Sequence, residues 1–196
     1  MKSLLKLVSG PILSLLLVLP LTACDSQSSA KQELPVNNKL GGDFQLDSTE
    51  GGKGKLSDFA GKVVLLNFGY THCPDICPMV LNRMANVMNA LGDSRSKVQP
   101  VFITFDPVRD TVERLKQYLP YFGKEFVGFT GTPEQIAEVN KLYGVIAIEQ
   151  KSESAAGILF SHSDYIYLLD DAGRIRALYG TDEPIDKIVE GIESLL

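Results

Sequence analysis

Cys73 and Cys77 lie in the stretch Phe68 to Pro78, FGYTHCPDICP, directly after the apolar run VVLLNF, and each is followed at once by proline. A residue before proline is pushed out of the α region, so neither cysteine is expected inside a helix. Pro78 suits a first helical position, which makes Cys77 the expected N-cap and leaves Cys73 in the loop leading to it. The positive end of a helix favours anions, so Cys77 is the expected thiolate, its pKa lowered. Such a pair can chelate a soft metal or cycle between dithiol and disulfide. The chain has two histidines. His72 adjoins Cys73 with its side chain expected to point away, a weak ligand candidate. His162 stands in ILFSHSDYIYL, at the entrance to a hairpin and after the small, polar stretch EQKSESAAG, which is expected to be mobile. A lone loop histidine is more often a solvated or capped side chain, but a reactive cysteine pair lacking a third donor raises its standing. Two thiolates and an imidazole form a soft, low-coordinate set that suits copper(I). Zinc with two Cys, one His and a water is the competitor.

The beginning of the chain bears on the redox state of that pair. Lys2 and Lys6 precede an uncharged apolar run from Leu7 to Ala23, as in an export signal. The run closes on Leu21-Thr22-Ala23-Cys24 and the composition then turns polar, a pattern that resembles the lipobox of bacterial lipoproteins. Residues 1–23 are thus expected to be a cleaved signal and Cys24 the lipid anchor, in preference to an uncleaved membrane helix. By the same resemblance Asp25 points to retention at the inner membrane, on the periplasmic side. Residues 24–39 are the expected lipidated N-terminus and flexible tether, and 40–196 one domain large enough to bury a core without disulfides. The net charge of −5 becomes more negative once Lys2 and Lys6 are removed, and nothing suggests a nucleic-acid partner. With Cys24 committed to lipid, Cys73 and Cys77 remain. In an oxidising compartment one structural disulfide is the plain expectation, yet so short a loop removes little unfolded-state entropy.

Phe44 to Leu46 and Gly54 to Leu56 read as short strands around the turn STEGGKG, Lys62 to Phe68 as a buried strand and Met79 to Leu91 as a helix by its apolar spacing. A strand over Val98 to Phe105, a helix over Val112 to Leu119 and a strand over Phe126 to Phe129 follow. Thr132, Pro133 and Gln135 form a capping-box signature for a helix to Leu142. Tyr165 to Leu169 and Arg174 to Tyr179 read as a hairpin and Ile185 to Leu196 as a last helix. This order predicts an α/β domain with a central mixed sheet and helices on both faces.

FGYTHCPDICP, then ITFDPVRDTVERL, then a single histidine ahead of an apolar hairpin, resembles the Sco/SenC family over about Leu40 to Leu196. The resemblance implies a thioredoxin-like fold with an added N-terminal hairpin, copper as the bound metal and Cys73, Cys77 and His162 as its ligands. It further implies a membrane-tethered metallochaperone that serves the CuA subunit of cytochrome c oxidase, alongside other copper chaperones and a periplasmic thioredoxin-like reductant. Many members have an acid directly before the ligand histidine; here Ser161 stands there and Asp164 follows two positions after. The alternative is an enzyme, either a thiol–disulfide oxidoreductase using Cys73 and Cys77 as a redox pair on the oxidase's own cysteines, or a thiol peroxidase. An inert disulfide domain is the third reading.

Plainer roles are expected elsewhere. Asp110 and Glu113 suit a helix N-terminus, Asp106 with Pro107 a turn. Met84 and Met88 lie in an apolar stripe as core residues, against the idea of a methionine copper site with Met79.

Overall fold

The computed structural model describes residues 33–151 and 158–196; the expected signal and Cys24 lie outside them. The apolar run after Lys62 forms β3 (Val63–Gly69), buried at all positions. Beside it runs β4 (Val98–Thr104), also buried throughout and parallel in register from Val63↔Val98 to Gly69↔Thr104. Strands this uniformly buried are covered on both faces. The parallel set continues in β5 (Val127–Thr130), while β8 (Ile166–Leu169) and β9 (Ile175–Tyr179) add antiparallel strands on the far side of β3. The N-terminal hairpin, β1 (Gln45–Ser48) and β2 (Lys53–Lys55), closes the β5 side, so the order is β2-β1-β5-β4-β3-β8-β9. The sheet is mixed, as expected for the thioredoxin-like α/β plan.

One face is covered by α1 (Ile76–Ala90), α2 (Val112–Tyr118) and α4 (Ile185–Glu193), with Leu81, Met84, Met88, Leu115 and Ile188 packed on Leu65 and Phe102. Met84 and Met88 are thus core residues. The other face takes α3 (Pro133–Tyr143), whose Ile136 and Tyr143 pack against Val64, Leu66 and Phe68. Its capping box is complete, with Thr132 N donating to Gln135 Oε1 and Gln135 N to Thr132 Oγ1, and Gly144 closes it at φ +67°. Upstream, Asn37 N donates to Ile175 O (2.8 Å) and Arg176 Nε to Leu34 O (2.9 Å), so residues 34–37 lie along β9.

Two expectations are corrected. Glu149 to Lys151 belong to a strand, β6 (Ala147–Lys151), rather than to a mobile stretch. His162 is the last residue of β7 (Ile158–His162) rather than part of a loop; β6 and β7 pair antiparallel from Ala147↔His162 to Lys151↔Ile158 as a separate two-stranded sheet. The polar residues Glu149, Gln150 and Ser161, all exposed, break the apolar alternation that would mark this pair in sequence.

The parallel strands β3 and β4 end together, and α1 starts close above the end of β3. A Cβ on Gly69 would stand 2.8 Å from the Phe102 ring and 3.1 Å from Cys77 Sγ. Gly69→Ala is therefore expected to lower stability by roughly 1–3 kcal/mol through overpacking, read by denaturant unfolding; an unchanged midpoint would show that α1 can move away freely.

Candidate metal centre

The thiol loop is tied down at both ends of its first turn. Phe105 N donates to Gly69 O (3.0 Å) and Cys73 N to Tyr70 O (3.3 Å). The helix then begins earlier than the prolines suggest: Asp75 is the N-cap, α1 starts at Ile76, and Cys77 lies within its first turn. Pro78 is tolerated there because first-turn amides have no intrahelical acceptor to lose. Asp75 makes no side-chain cap bond. A sulfur takes that place, since Cys77 N donates to Cys73 Sγ at 3.4 Å.

This geometry reverses the expected roles of the two thiols. Hydrogen bonding from the Cys77 thiol is the main cause that brings Cys73 down to about 3; burial opposes it, and His162 and the Cys77 and Asp75 amides add to the fall. Cys77 is pushed up, first by its bond to the Cys73 thiolate and then by burial. The helix N-terminus does stabilise a thiolate, but the one that receives its amides is Cys73 in the loop. Cys73 is half-buried and Cys77 buried, and the two sulfurs are not joined in a disulfide.

His162 meets the pair from β7. Its Nε2 lies 3.5 Å from Cys77 Sγ, and its Nδ1 stands 2.9 Å from Ser163 O. A carbonyl oxygen can only accept, so Nδ1 carries a proton and Nε2 faces the sulfurs, donating to the Cys73 thiolate when the ring is protonated and offering its lone pair when it is neutral. Burial pulls the imidazole pKa down, but the bond to Cys73, the Ser163 carbonyl and the charges of Cys73 and Asp164 outweigh it, so the net shift is upward. The group that orients the imidazole is a main-chain oxygen, a kind of partner that commonly fixes a ligand histidine, while Asp164 acts on the ring through its charge. Ser161 is exposed on β7. One donor atom each from Cys73, Cys77 and His162 lie within 4.8 Å of one another.

His72 turns away, as expected, with Nδ1 3.2 Å from Thr71 Oγ1 and 3.5 Å from Asp110 Oδ1. Asp110 is not simply a helix-start residue. Thr111 is the N-cap of α2, and the Asp110 side chain turns into the protein. It accepts from Thr71 N (2.8 Å), Thr71 Oγ1 (2.6 Å) and Thr104 Oγ1 (2.7 Å), fastening the thiol loop to the end of β4. Arg114 Nε donates to Thr71 Oγ1 (3.0 Å) from α2. Asp106 pairs with Arg109 across the preceding turn. The hydroxyl partners Thr71 and Thr104 carry no sequence mark that joins them to Asp110, which is why this buttress is invisible before folding.

A thiol that ionises near pH 3 has a constant thiolate fraction at higher pH. In the reduced, metal-free protein the iodoacetamide rate at Cys73 should be nearly flat from about pH 5 to 8, where an ordinary thiol gains about tenfold per unit. Cys77→Ala should restore much of that slope, and a native rate climbing like that of a free cysteine would refute the assignment. In linkage terms the stabilisation is fully present above the unfolded thiol's value, about 8.5, and is lost as pH falls toward about 3. Asp110→Ala strands three buried donors and should cost roughly 2–4 kcal/mol in denaturant unfolding; a loss within experimental error would mean that the loop does not need this anchor.

A family model described as SCO1/SenC matches residues 32–196. A SCO2-like protein of Rickettsia felis is 36% identical over 155 residues, 79% of this chain and 76% of its own length. The crystal structure of Arabidopsis thaliana ScoI with copper bound is similar at a TM-score of 0.74 and 34% identity, covering 79% of this chain and 97% of that one. Bradyrhizobium japonicum ScoI with copper bound gives a TM-score of 0.73 at 34% identity, covering 80% and 99%. With this fold and these matches along the described domain, the chain belongs to the SCO1/SenC family.

Proposed function

We propose that the protein is a membrane-tethered copper metallochaperone that holds copper between Cys73, Cys77 and His162 and passes it to the CuA site of cytochrome c oxidase. The observation that carries this reading is the convergence of two sulfurs and one imidazole nitrogen within 4.8 Å. Soft thiolates and a neutral imidazole suit copper(I), and the relatives from Arabidopsis thaliana and Bradyrhizobium japonicum carry copper. The Sco/SenC resemblance supplies the recipient, the oxidase CuA subunit, and the accompanying chaperones.

The residues divide the work of binding. Cys73 offers a ready anion at the surface of the loop, Cys77 gives up its proton as cargo is taken, and His162 closes the set through Nε2 while Ser163 O holds Nδ1–H. Three ligands leave a low-coordinate site, so an acceptor with further donors can displace them one at a time. The anchor would be lipid on Cys24, outside the described residues, holding the domain on the periplasmic face of the inner membrane. Among the described residues no helix is long and apolar enough to cross a membrane.

A second reading, thiol–disulfide exchange, is favoured by the asymmetry of the thiols. The Cys73 thiolate attacks a disulfide of the oxidase subunit and expels one of its sulfurs as a thiolate. Cys77, deprotonated in the step, then attacks Cys73 and expels the other, leaving the subunit reduced and the pair oxidised. A thioredoxin-like dithiol would return the pair to its reduced state.

Copper(I) titration of the reduced protein against a competing chelator separates these readings. One equivalent should bind tightly, and His162→Ala should weaken it by at least about tenfold, the loss seen when even a supporting partner of a ligand is disturbed. Negligible uptake, or equal affinity in the variant, would overturn the three-ligand site and leave thiol exchange, which does not need His162.

A further inference from the structure

The strand pair that carries His162 lacks ladder hydrogen bonds to the seven-stranded sheet. Two strands alone are at best marginally stable in water, and the outer side of this pair is open, with Ile146 62% and Ile148 59% exposed. Its position over the thiol loop must therefore come from contacts on its inner side. Alternate residues of a strand share a face, which places Phe160 and His162 together. The Phe160 ring lies 5.2 Å from Tyr70 and 5.2 Å from Phe105, and the imidazole lies 6.0 Å and 4.9 Å from the same two rings.

Tyr70 adds a directional contact to this packing. Its side chain is buried, and Phe160 N donates to its hydroxyl oxygen at 3.3 Å. Its own carbonyl accepts from Cys73 N, also at 3.3 Å. The Arg109 guanidinium, paired with Asp106, stands 5.7 Å from the ring centre and limits its movement. A single residue thus holds the thiol loop with its main chain and the imidazole strand with its side chain.

We propose that Tyr70 is a positioning residue that latches β7 to the thiol loop, so that its hydroxyl sets the fraction of molecules in which His162 Nε2 faces the cysteines. The inference rests on the three-ligand reading above. Apparent affinity scales with the fraction of molecules in the binding-competent arrangement, so loosening the latch weakens metal binding through His162; the same hydroxyl also hydrogen-bonds Cys73, a contact that does not depend on His162.

Tyr70→Phe keeps the ring and removes only the hydroxyl. In the reduced, metal-free protein, hydrogen exchange of the Phe160 amide and its β7 neighbours should quicken by about two- to tenfold, as expected for one lost hydrogen bond. Copper(I) affinity should fall by a similar factor in the native background and by clearly less in a His162→Ala background, where the position of β7 no longer matters and only the contact with Cys73 is lost. Unchanged exchange at Phe160, or an equal loss of affinity in both backgrounds, would overturn the latch and leave the contact with Cys73 as the role of the hydroxyl. If the native protein takes up no copper(I), the metal reading fails, and the exchange rates by themselves decide whether Tyr70 holds the strand.

Discussion

The centre depends on one contact, the capping of a helix start by a sulfur from the preceding loop. Cys77 N points at Cys73 Sγ, and the buried Cys77 thiol is directed to the same atom. The unsatisfied amides of a helix start need an acceptor and stabilise negative charge. A loop thiolate answers both needs, and it leaves the charged sulfur near solvent while its partner stays protonated inside. Without this division of roles the two cysteines would compete for one stabilising site, and like charges so close would oppose each other.

Two buttresses keep that contact in place, one from each side of the loop. Asp110 binds Thr71 twice and Thr104 once, joining the loop to the end of β4. On the other side Tyr70, Phe105 and Phe160 form an aromatic cluster under the strand that delivers the imidazole. The first buttress is polar and fully buried, and its acceptor capacity is well used. The second is mostly apolar, with Tyr70 and Phe105 buried and Phe160, on the strand itself, half-buried. The parallel strands β3 and β4, buried on both faces, supply the rigid base that both share.

The main elements were legible because their causes are local. Continuous burial marks β3 and β4 by their apolar content, the spacing of Leu81, Met84 and Met88 marks α1, and Thr132 with Gln135 marks the start of α3. The strand pair β6–β7 was not legible, because polar residues interrupt its apolar alternation and the cluster that supports it is contributed by Tyr70 and Phe105 from far upstream. The start of α1 was misplaced for a related reason: the preference of a residue before proline was outweighed by a sulfur cap that exists only once the loop has folded back.

The sequence by itself determined which donors are available, two thiols with three residues between them and one imidazole downstream, and the apolar pattern of strands and helices on which they sit. Residue type and short-range spacing are enough for that. Tertiary structure decided which thiol is ionised, which imidazole nitrogen faces the sulfurs, and that the imidazole arrives on a strand. Those outcomes turn on desolvation and on hydrogen bonds such as that between Cys77 and His162, 85 residues apart, and such contacts come into being only when the chain closes on itself.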